Sequence, residues 1–264
     1  MANIKVVVHG ASGRVGQEVV KAVCQEPDMK MVGAVDLKVP GEGLALPDGS
    51  GKVPFSADFK SIVTTCRPDV VVDFTIAKAA MPAVRIAAEK GVNMVIGSTG
   101  YTAEDLAEIE KLAKDKKIGI VIAPNFALGA VMMIHLAKIA GKYFDHAEII
   151  ELHHDRKLDA PSGTAKTTAQ VMAEAKGKPF LPPAVAGEDS PSRGKPVGGI
   201  NIHAVRLPGL MAHQEVIFGT SGQTLSIRHD TINRECYMPG VILAIREVMK
   251  RREYVYGLDK LLGL

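Results

Sequence analysis

The sequence predicts an α/β protein in which a doubly wound parallel sheet is followed by a second, α+β domain built on a mixed or antiparallel sheet. Three observations carry this expectation. Short, branched, almost uninterrupted apolar runs alternate with helix-like segments up to about residue 126. Glycines recur at every third position directly after the first of these runs. Beyond residue 126, strand-like runs follow one another across short glycine-containing turns.

The runs at 4–9 (IKVVVH), 31–36 (MVGAVD), 69–74 (DVVVDF), 92–97 (VNMVIG) and 118–123 (IGIVIA) lack the apolar/polar alternation of a half-exposed strand. Strands read this way when both faces are buried, as in a parallel sheet. KAAMPAVRIAAEKG (78–91) and TAEDLAEIEKLAKDKK (102–117) lie between them as helices. In the second, Thr102 suits the N-cap, Glu104 and Asp105 the first turn, and the lysines the end. The repeating β-α order predicts right-handed crossovers. Further on, HAEIIELHH (146–154) predicts a strand and GTAKTTAQVMAEAKG (163–177) a helix, followed by a Pro-, Gly- and Ser-rich loop over 176–199. GINIHAVRL (199–207), AHQEVIFGT (212–220) and QTLSIRHDT (223–231) predict three strands joined as hairpins. Pro239 opens an amphipathic helix, PGVILAIREVMKRR, with Val241, Ile242, Ile245 and Val248 on one face. The expected division is residues 1–126 with 237–264 as one domain and 127–236 as the other.

A chain of 264 residues that is 47% hydrophobic can bury a substantial core. The 32 basic and 29 acidic residues are scattered, with a net charge of +3, so no basic stripe marks a nucleic-acid partner. Cys24, Cys66 and Cys236 form no Cys-x-x-Cys pair and read as reduced thiols. With neither a signal-peptide pattern nor an apolar run of membrane-spanning length, the expectation is a cytoplasmic protein without a membrane partner.

Gly10, Gly13 and Gly16 sit between the first strand and the first helix as G-x-x-G-x-x-G, a variant of the dinucleotide fingerprint of Rossmann-type domains. The first glycine permits the tight turn, the second the approach of a pyrophosphate, and the third the packing of helix on strand. Asp36 follows about 20 residues after Gly16, where a carboxylate accepts from the adenosine ribose hydroxyls. That carboxylate disfavours a 2′-phosphate, whereas Lys38, two residues on, is able to pair with one; NADH and NADPH both remain open.

The segment ELHHDRKLDAPSGTA (151–165) concentrates ionisable groups in an otherwise apolar chain. Alternation puts Glu151 and His153 on one strand face and Leu152 and His154 on the other. The other histidines are dispersed, so no metal site is expected, and Ser162 lacks a nucleophile elbow. A histidine near neutrality, a lysine, and a helix starting at Gly163 and Thr164 suit a small carboxylate substrate that takes up a proton. Beside a nicotinamide domain, that means hydride transfer with proton donation.

Together, GASGRVG (10–16), DFT (73–75), GSTGY (97–101), APNFALG (123–129) and ELHHDRKLDAPSGTA resemble, in this order and over nearly the whole chain, the bacterial 4-hydroxy-tetrahydrodipicolinate (dihydrodipicolinate) reductases. The resemblance implies NAD(P)H-dependent reduction of that cyclic dicarboxylate to tetrahydrodipicolinate, with loss of water, on the diaminopimelate and lysine pathway. It implies His153 as general acid and Lys157 as carboxylate holder and catalytic aid, with His154, Gly163, Thr164 and Thr99 contacting the two carboxylates. On the cofactor side it implies Gly10, Ala11, Ser12, Gly13, Arg14 and Val15 at the pyrophosphate and Asp36 at the ribose. Gly97, Ser98 and Thr99, and Ala123, Pro124, Asn125 and Phe126, would line the nicotinamide. It further implies a second domain that binds substrate and builds a homotetramer. Some members carry an arginine directly after the ribose acid; this chain has Leu37 there, then Lys38. Another two-domain dehydrogenase, acting on aspartate or an amino-acid semialdehyde, and a nucleotide-sensing or regulatory protein without turnover are the competing readings; neither calls for both His153 and Lys157.

Overall fold

The computed structural model describes residues 3–39, 41, 43–181 and 191–264. In chain order the elements begin β1 (Ile4–His9), α1 (Arg14–Gln25), β2 (Met29–Val35), β3 (Leu44–Ala45), β4 (Lys52–Val53) and β5 (Phe55–Ser56). They continue with α2 (Phe59–Cys66), β6 (Val70–Asp73), α3 (Ala77–Glu89), β7 (Asn93–Ile96), α4 (Ala103–Lys116) and β8 (Ile120–Ile122). Next come α5 (Leu128–Ala140), β9 (His146–His153), α6 (Gly163–Lys176), β10 (Lys195–Val197), β11 (Ile200–Arg206), β12 (Ala212–Thr220) and β13 (Gln223–Thr231). The chain closes with α7 (Met238–Val248), β14 (Tyr254–Tyr256) and α8 (Leu258–Leu262). Two compact units form, Met1–Leu128 with Arg234–Leu264, and Gly129–Asn233.

The first unit holds a parallel sheet in the order β14-β8-β7-β6-β1-β2-β5. Its central strands are buried on both faces: Val6, Val7 and Val8 of β1 and Val70, Val71 and Val72 of β6 have no exposed surface, which is why they read as unbroken apolar runs. From β1 the chain steps to β2 on one side and then crosses to β6 on the other, so the switch point lies between β1 and β6. Open α/β sheets bind ligands at the carboxyl ends of such strands. There His9 and Asp73 are in register, with His9 Nδ1 2.6 Å from Asp73 Oδ2. Thr102 caps α4 in a capping box with Asp105. In α7, Val241, Ile242, Ile245 and Val248 are all buried, with Pro239 in the first turn. The helix starts at Met238 and ends at Val248, short of the basic tail expected to extend it.

The second unit departs from the expected run of hairpins. Its sheet runs β10-β11-β9-β12-β13, and β9 separates β11 from β12. β11 pairs parallel with β9, because α6 serves as the crossover of a β-α-β unit; of the three expected strands only β12 and β13 are joined to each other as a hairpin, while β11 forms one with β10 across Gly198 and Gly199. Ala147, Ile149, Val216, Phe218, Ile200 and Ile202 bury one sheet face against Ala165, Ala169 and Met172 of α6. The stretch expected as a loop over 176–199 contains β10, antiparallel to β11; its residues 182–190 lie outside the described residues. Among the described residues no helix is long and apolar enough to cross a membrane. Likewise, no group of three or more His, Cys, Asp or Glu among them could hold a metal ion.

Candidate active site

In the first unit the glycine loop is shaped by contacts that no side chain could share. Gly10 has φ +86°, a conformation L side chains rarely adopt. A Cβ on Gly16 would lie 2.0 Å from the Gly10 carbonyl oxygen, so the start of α1 packs on the turn only as glycine. The N–H groups of Gly10 and Ala11 donate to the Val35 carbonyl at 2.8 and 3.2 Å, and Gly13 N–H donates to the Gly10 carbonyl at 2.9 Å. Ser12 N–H donates to Asp36 Oδ2 at 2.9 Å, and Lys38 N–H to Oδ1 at 3.3 Å. These four loop amides hold the loop in shape. At the start of α1, Gly13 offers no side-chain cap, which leaves the first-turn amides of Arg14, Val15 and Gly16 for an anion. Asp36 lies one residue past β2, its carboxylate braced beside the loop. A glycine cradle, an uncapped helix start and a braced carboxylate fit a dinucleotide.

The turns after β7 and β8 both pack on Phe74, which follows β6. A Cβ on Gly97 would fall 2.1 Å from the Phe74 ring, whose centroid lies 5.6 Å from that of Phe126. Phe126 and Ala123 are buried, while Thr99 and Pro124 are exposed. The Asn125 carboxamide oxygen accepts from Ala127 N–H at 2.9 Å, bending the chain into α5. The Ser98 hydroxyl meets the Tyr101 hydroxyl at 2.5 Å, and burial pushes the Tyr101 phenol up to about 12. Lys38 and Arg14 are exposed.

In the second unit β9 ends at His153, and His154 is the first residue beyond it. His153 Nδ1 lies 2.5 Å from Glu151 Oε2, on the strand face that alternation assigns to both. Glu151 is fully buried and also accepts from the Arg206 guanidinium at 2.8 and 2.7 Å and from Ser162 N–H at 3.0 Å. Burial alone would raise its carboxyl, but the bonds from His153, Arg206 and Ser162 prevail and hold it down at about 2. The parallel pairing of β11 with β9 sets Arg206 opposite His153.

Past the strand, Lys157 N–H donates to the His154 carbonyl at 3.1 Å, closing a turn. The Lys157 ammonium lies 2.7 Å from Asp159 Oδ1 and keeps that carboxyl below the usual range. His154 Nδ1 is buried without a hydrogen-bond partner among the described residues. The Ser162 hydroxyl caps α6 by accepting from Ala165 N–H at 3.2 Å, and at the helix start the Gly163 amide faces the Asp159 carboxylate beside the amide of Thr164. The residues of 151–165 thus form one cluster in the second unit, and the glycine loop, Asp36 and the two later turns line the sheet end of the first. Sequence reasoning missed Arg206, for which a lone arginine at a strand end gives no signal. It also left Glu151 without a role, although its alternation with His153 was visible.

Comparison with known proteins agrees across the chain. Residues 4–126 match the family described as "Dihydrodipicolinate reductase, N-terminus", and residues 129–262 its C-terminus. A 4-hydroxy-tetrahydrodipicolinate reductase of Dehalococcoides mccartyi is 59% identical over 265 residues, covering 100% of both chains. One of Moorella thermoacetica is 46% identical over 264 residues, covering 99% of each. Among solved structures, a dipicolinate-bound dihydrodipicolinate reductase from Paenisporosarcina sp. TG-14 superposes with a TM-score of 0.87 at 41% identity, covering 98% of this chain and 99% of that one. With both halves matched in order, the chain belongs to the dihydrodipicolinate reductase family.

Proposed function

We propose that this chain reduces 4-hydroxy-tetrahydrodipicolinate to tetrahydrodipicolinate in diaminopimelate and lysine biosynthesis, with His153 as the proton donor. The overall change eliminates water and adds one hydride and one proton. A bound nicotinamide supplies the hydride. Holding its dinucleotide falls to the first-turn amides of α1, to Arg14, and to Asp36 at the ribose. Gly97 to Thr99 and Ala123 to Phe126 shape the floor on the nicotinamide side. The observation that most supports the acid role is the Glu151 contact on His153 Nδ1, which leaves Nε2 as the atom that delivers a proton.

Lys157 and the Gly163 and Thr164 amides bind the substrate carboxylates, with His154 and Thr99 as further contacts. The Lys157 ammonium is held by Asp159 at 2.7 Å, so a substrate carboxylate exchanges for that partner. Lys157→Ala then raises the KM for substrate about tenfold or more, as expected for loss of a charge-assisted hydrogen bond. Steady-state kinetics check this, and a change confined to NADH affinity would contradict the assignment.

NADH is the favoured cofactor, because the braced Asp36 carboxylate opposes a 2′-phosphate; Lys38 gives secondary use of NADPH. The test is oxidation of each at 340 nm, with substrate generated by a coupling synthase from pyruvate and aspartate semialdehyde. Lys38→Ala raises the KM for NADPH about two- to fivefold, the range of an exposed ion pair, and leaves that for NADH unchanged. Absence of oxidation with either cofactor, in protein that binds one, would favour the nucleotide-sensing reading instead. The protein works in the cytoplasm as a homotetramer, with the face of the second unit's sheet opposite α6 as the interface.

A further inference from the structure

Glu151 is fully buried yet ionised, and it receives four hydrogen bonds: one from His153, two from Arg206 and one from Ser162 N–H. A carboxylate offers about four acceptor sites, so this one is saturated and has no other orientation open to it. The 2.5 Å contact joins Glu151 Oε2 to His153 Nδ1. Since the carboxylate is ionised, the proton between them belongs to the imidazole. Every tautomer or charge state compatible with this contact therefore carries a proton on Nδ1.

From this network we infer that Glu151 is a positioning residue for the reduction: it fixes the ring and tautomer of His153, so that Nε2 is the only nitrogen that exchanges its proton with substrate. The inference rests on His153 being the acid. After the proton leaves Nε2, the neutral ring stays as the Nδ1–H tautomer, with its bond to Glu151 intact and Nε2 ready for the next proton from solvent.

Arg206 makes this arrangement compatible with a dicarboxylate. An uncompensated buried carboxylate beside two substrate carboxylates would repel them strongly at low dielectric. The guanidinium fork cancels the charge of Glu151 while keeping both its oxygens in place. Arg206 also donates to the Asp159 carbonyl at 2.7 Å, and Ser162 N–H, at the cap of α6, donates to Glu151 at 3.0 Å. A single carboxylate thus ties together the acid, the lysine turn and the start of the anion-binding helix, so the parts that bind substrate and the part that protonates it share one anchor.

The test is Glu151→Gln, which keeps the volume and removes the charge. A glutamine amide turned to donate toward Nδ1 favours the Nε2–H neutral ring over the imidazolium and turns the acid into a much weaker one. The expected result is a fall in kcat of about 10²-fold, most of a general acid–base contribution, with KM for substrate not raised, since the guanidinium of Arg206 is then uncancelled beside the dicarboxylate, and affinity for NADH unchanged. His153→Gln is assayed in parallel. If it keeps wild-type activity, the acid assignment fails; if it is inactive while Glu151→Gln turns over like wild type, only the role of Glu151 falls. Should Glu151→Gln fail to fold, 15N-histidine NMR of the wild-type holoenzyme decides. A far-downfield proton on His153 Nδ1 that persists in the neutral ring supports the inference, and a neutral Nε2–H tautomer overturns it.

Discussion

His153→Gln lowers kcat by about 10²-fold or more, the usual size of a general-acid contribution, while NADH binds as it does to wild type. Glutamine is close to the imidazole in size and retains a donor, so the strand end and the bond to Glu151 have a replacement; the ring nitrogen that carries an exchangeable acidic proton does not. The proposed role puts the loss in kcat, because a proton donated by His153 would be delivered after substrate is seated, by a side chain whose other nitrogen is committed to Glu151 at 2.5 Å. Stopped-flow and steady-state measurements with coupled substrate read the effect directly. Wild-type kcat in this variant would remove His153 from the mechanism, and a loss appearing wholly in KM would recast it as a substrate contact.

Gly16→Ala is the second large expected effect, and it acts on the other half of the reaction. The new methyl would stand 2.0 Å from the Gly10 carbonyl oxygen, 2.8 Å from its carbon and 3.0 Å from the Ala11 Cα. All three are backbone atoms, so no rotamer change relieves the contact. Either α1 moves off β1 or the turn at Gly10 opens, and both displace the first-turn amides of α1 that are proposed to hold the pyrophosphate. Overpacking of this kind costs about 1–3 kcal/mol of stability. Affinity for NADH should fall more than tenfold, since several amide contacts depend on that geometry. Fluorescence titration with NADH and a thermal melt check both parts; unchanged affinity would mean that the third glycine is not what shapes the loop.

What the sequence made legible follows from how local each signal is. The parallel strands were readable because residues such as Val6 to Val8 and Val70 to Val72 have no exposed surface, and an unbroken apolar run is the direct imprint of that burial. The glycine loop was readable because positive φ at Gly10 and the close approach at Gly16 each admit only one residue type. Within the candidate site, Glu151, His153, Lys157 and Ser162 lie in one short stretch, so their grouping could be seen before any coordinates. Arg206 could not. It reaches Glu151 only because β11 lies parallel beside β9, and a pairing between strands this far apart in the chain leaves no local pattern. The same reason hid the insertion of β9 between β11 and β12, where adjacent runs suggested hairpins. The engagement of Lys157 by Asp159 was also unseen, because two residues in an irregular turn carry no pattern that pairs their side chains.

The pairing of β14 with β8, and the packing of α7 on β6, β7 and β8, place the last stretch of chain in the first unit. Seen from the ribosome, the two units are finished in reverse of the order in which they are begun. Gly129–Asn233 is contiguous and has every strand of its sheet in hand once Thr231 has emerged. Until α7 and β14 arrive, β8 is a bare sheet edge, and the strands under Val241, Ile242, Ile245 and Val248 stay uncovered. Such edges and apolar faces are what nascent chains aggregate through. The half-built first unit therefore waits, its sheet edge bare, through the synthesis of the whole second unit.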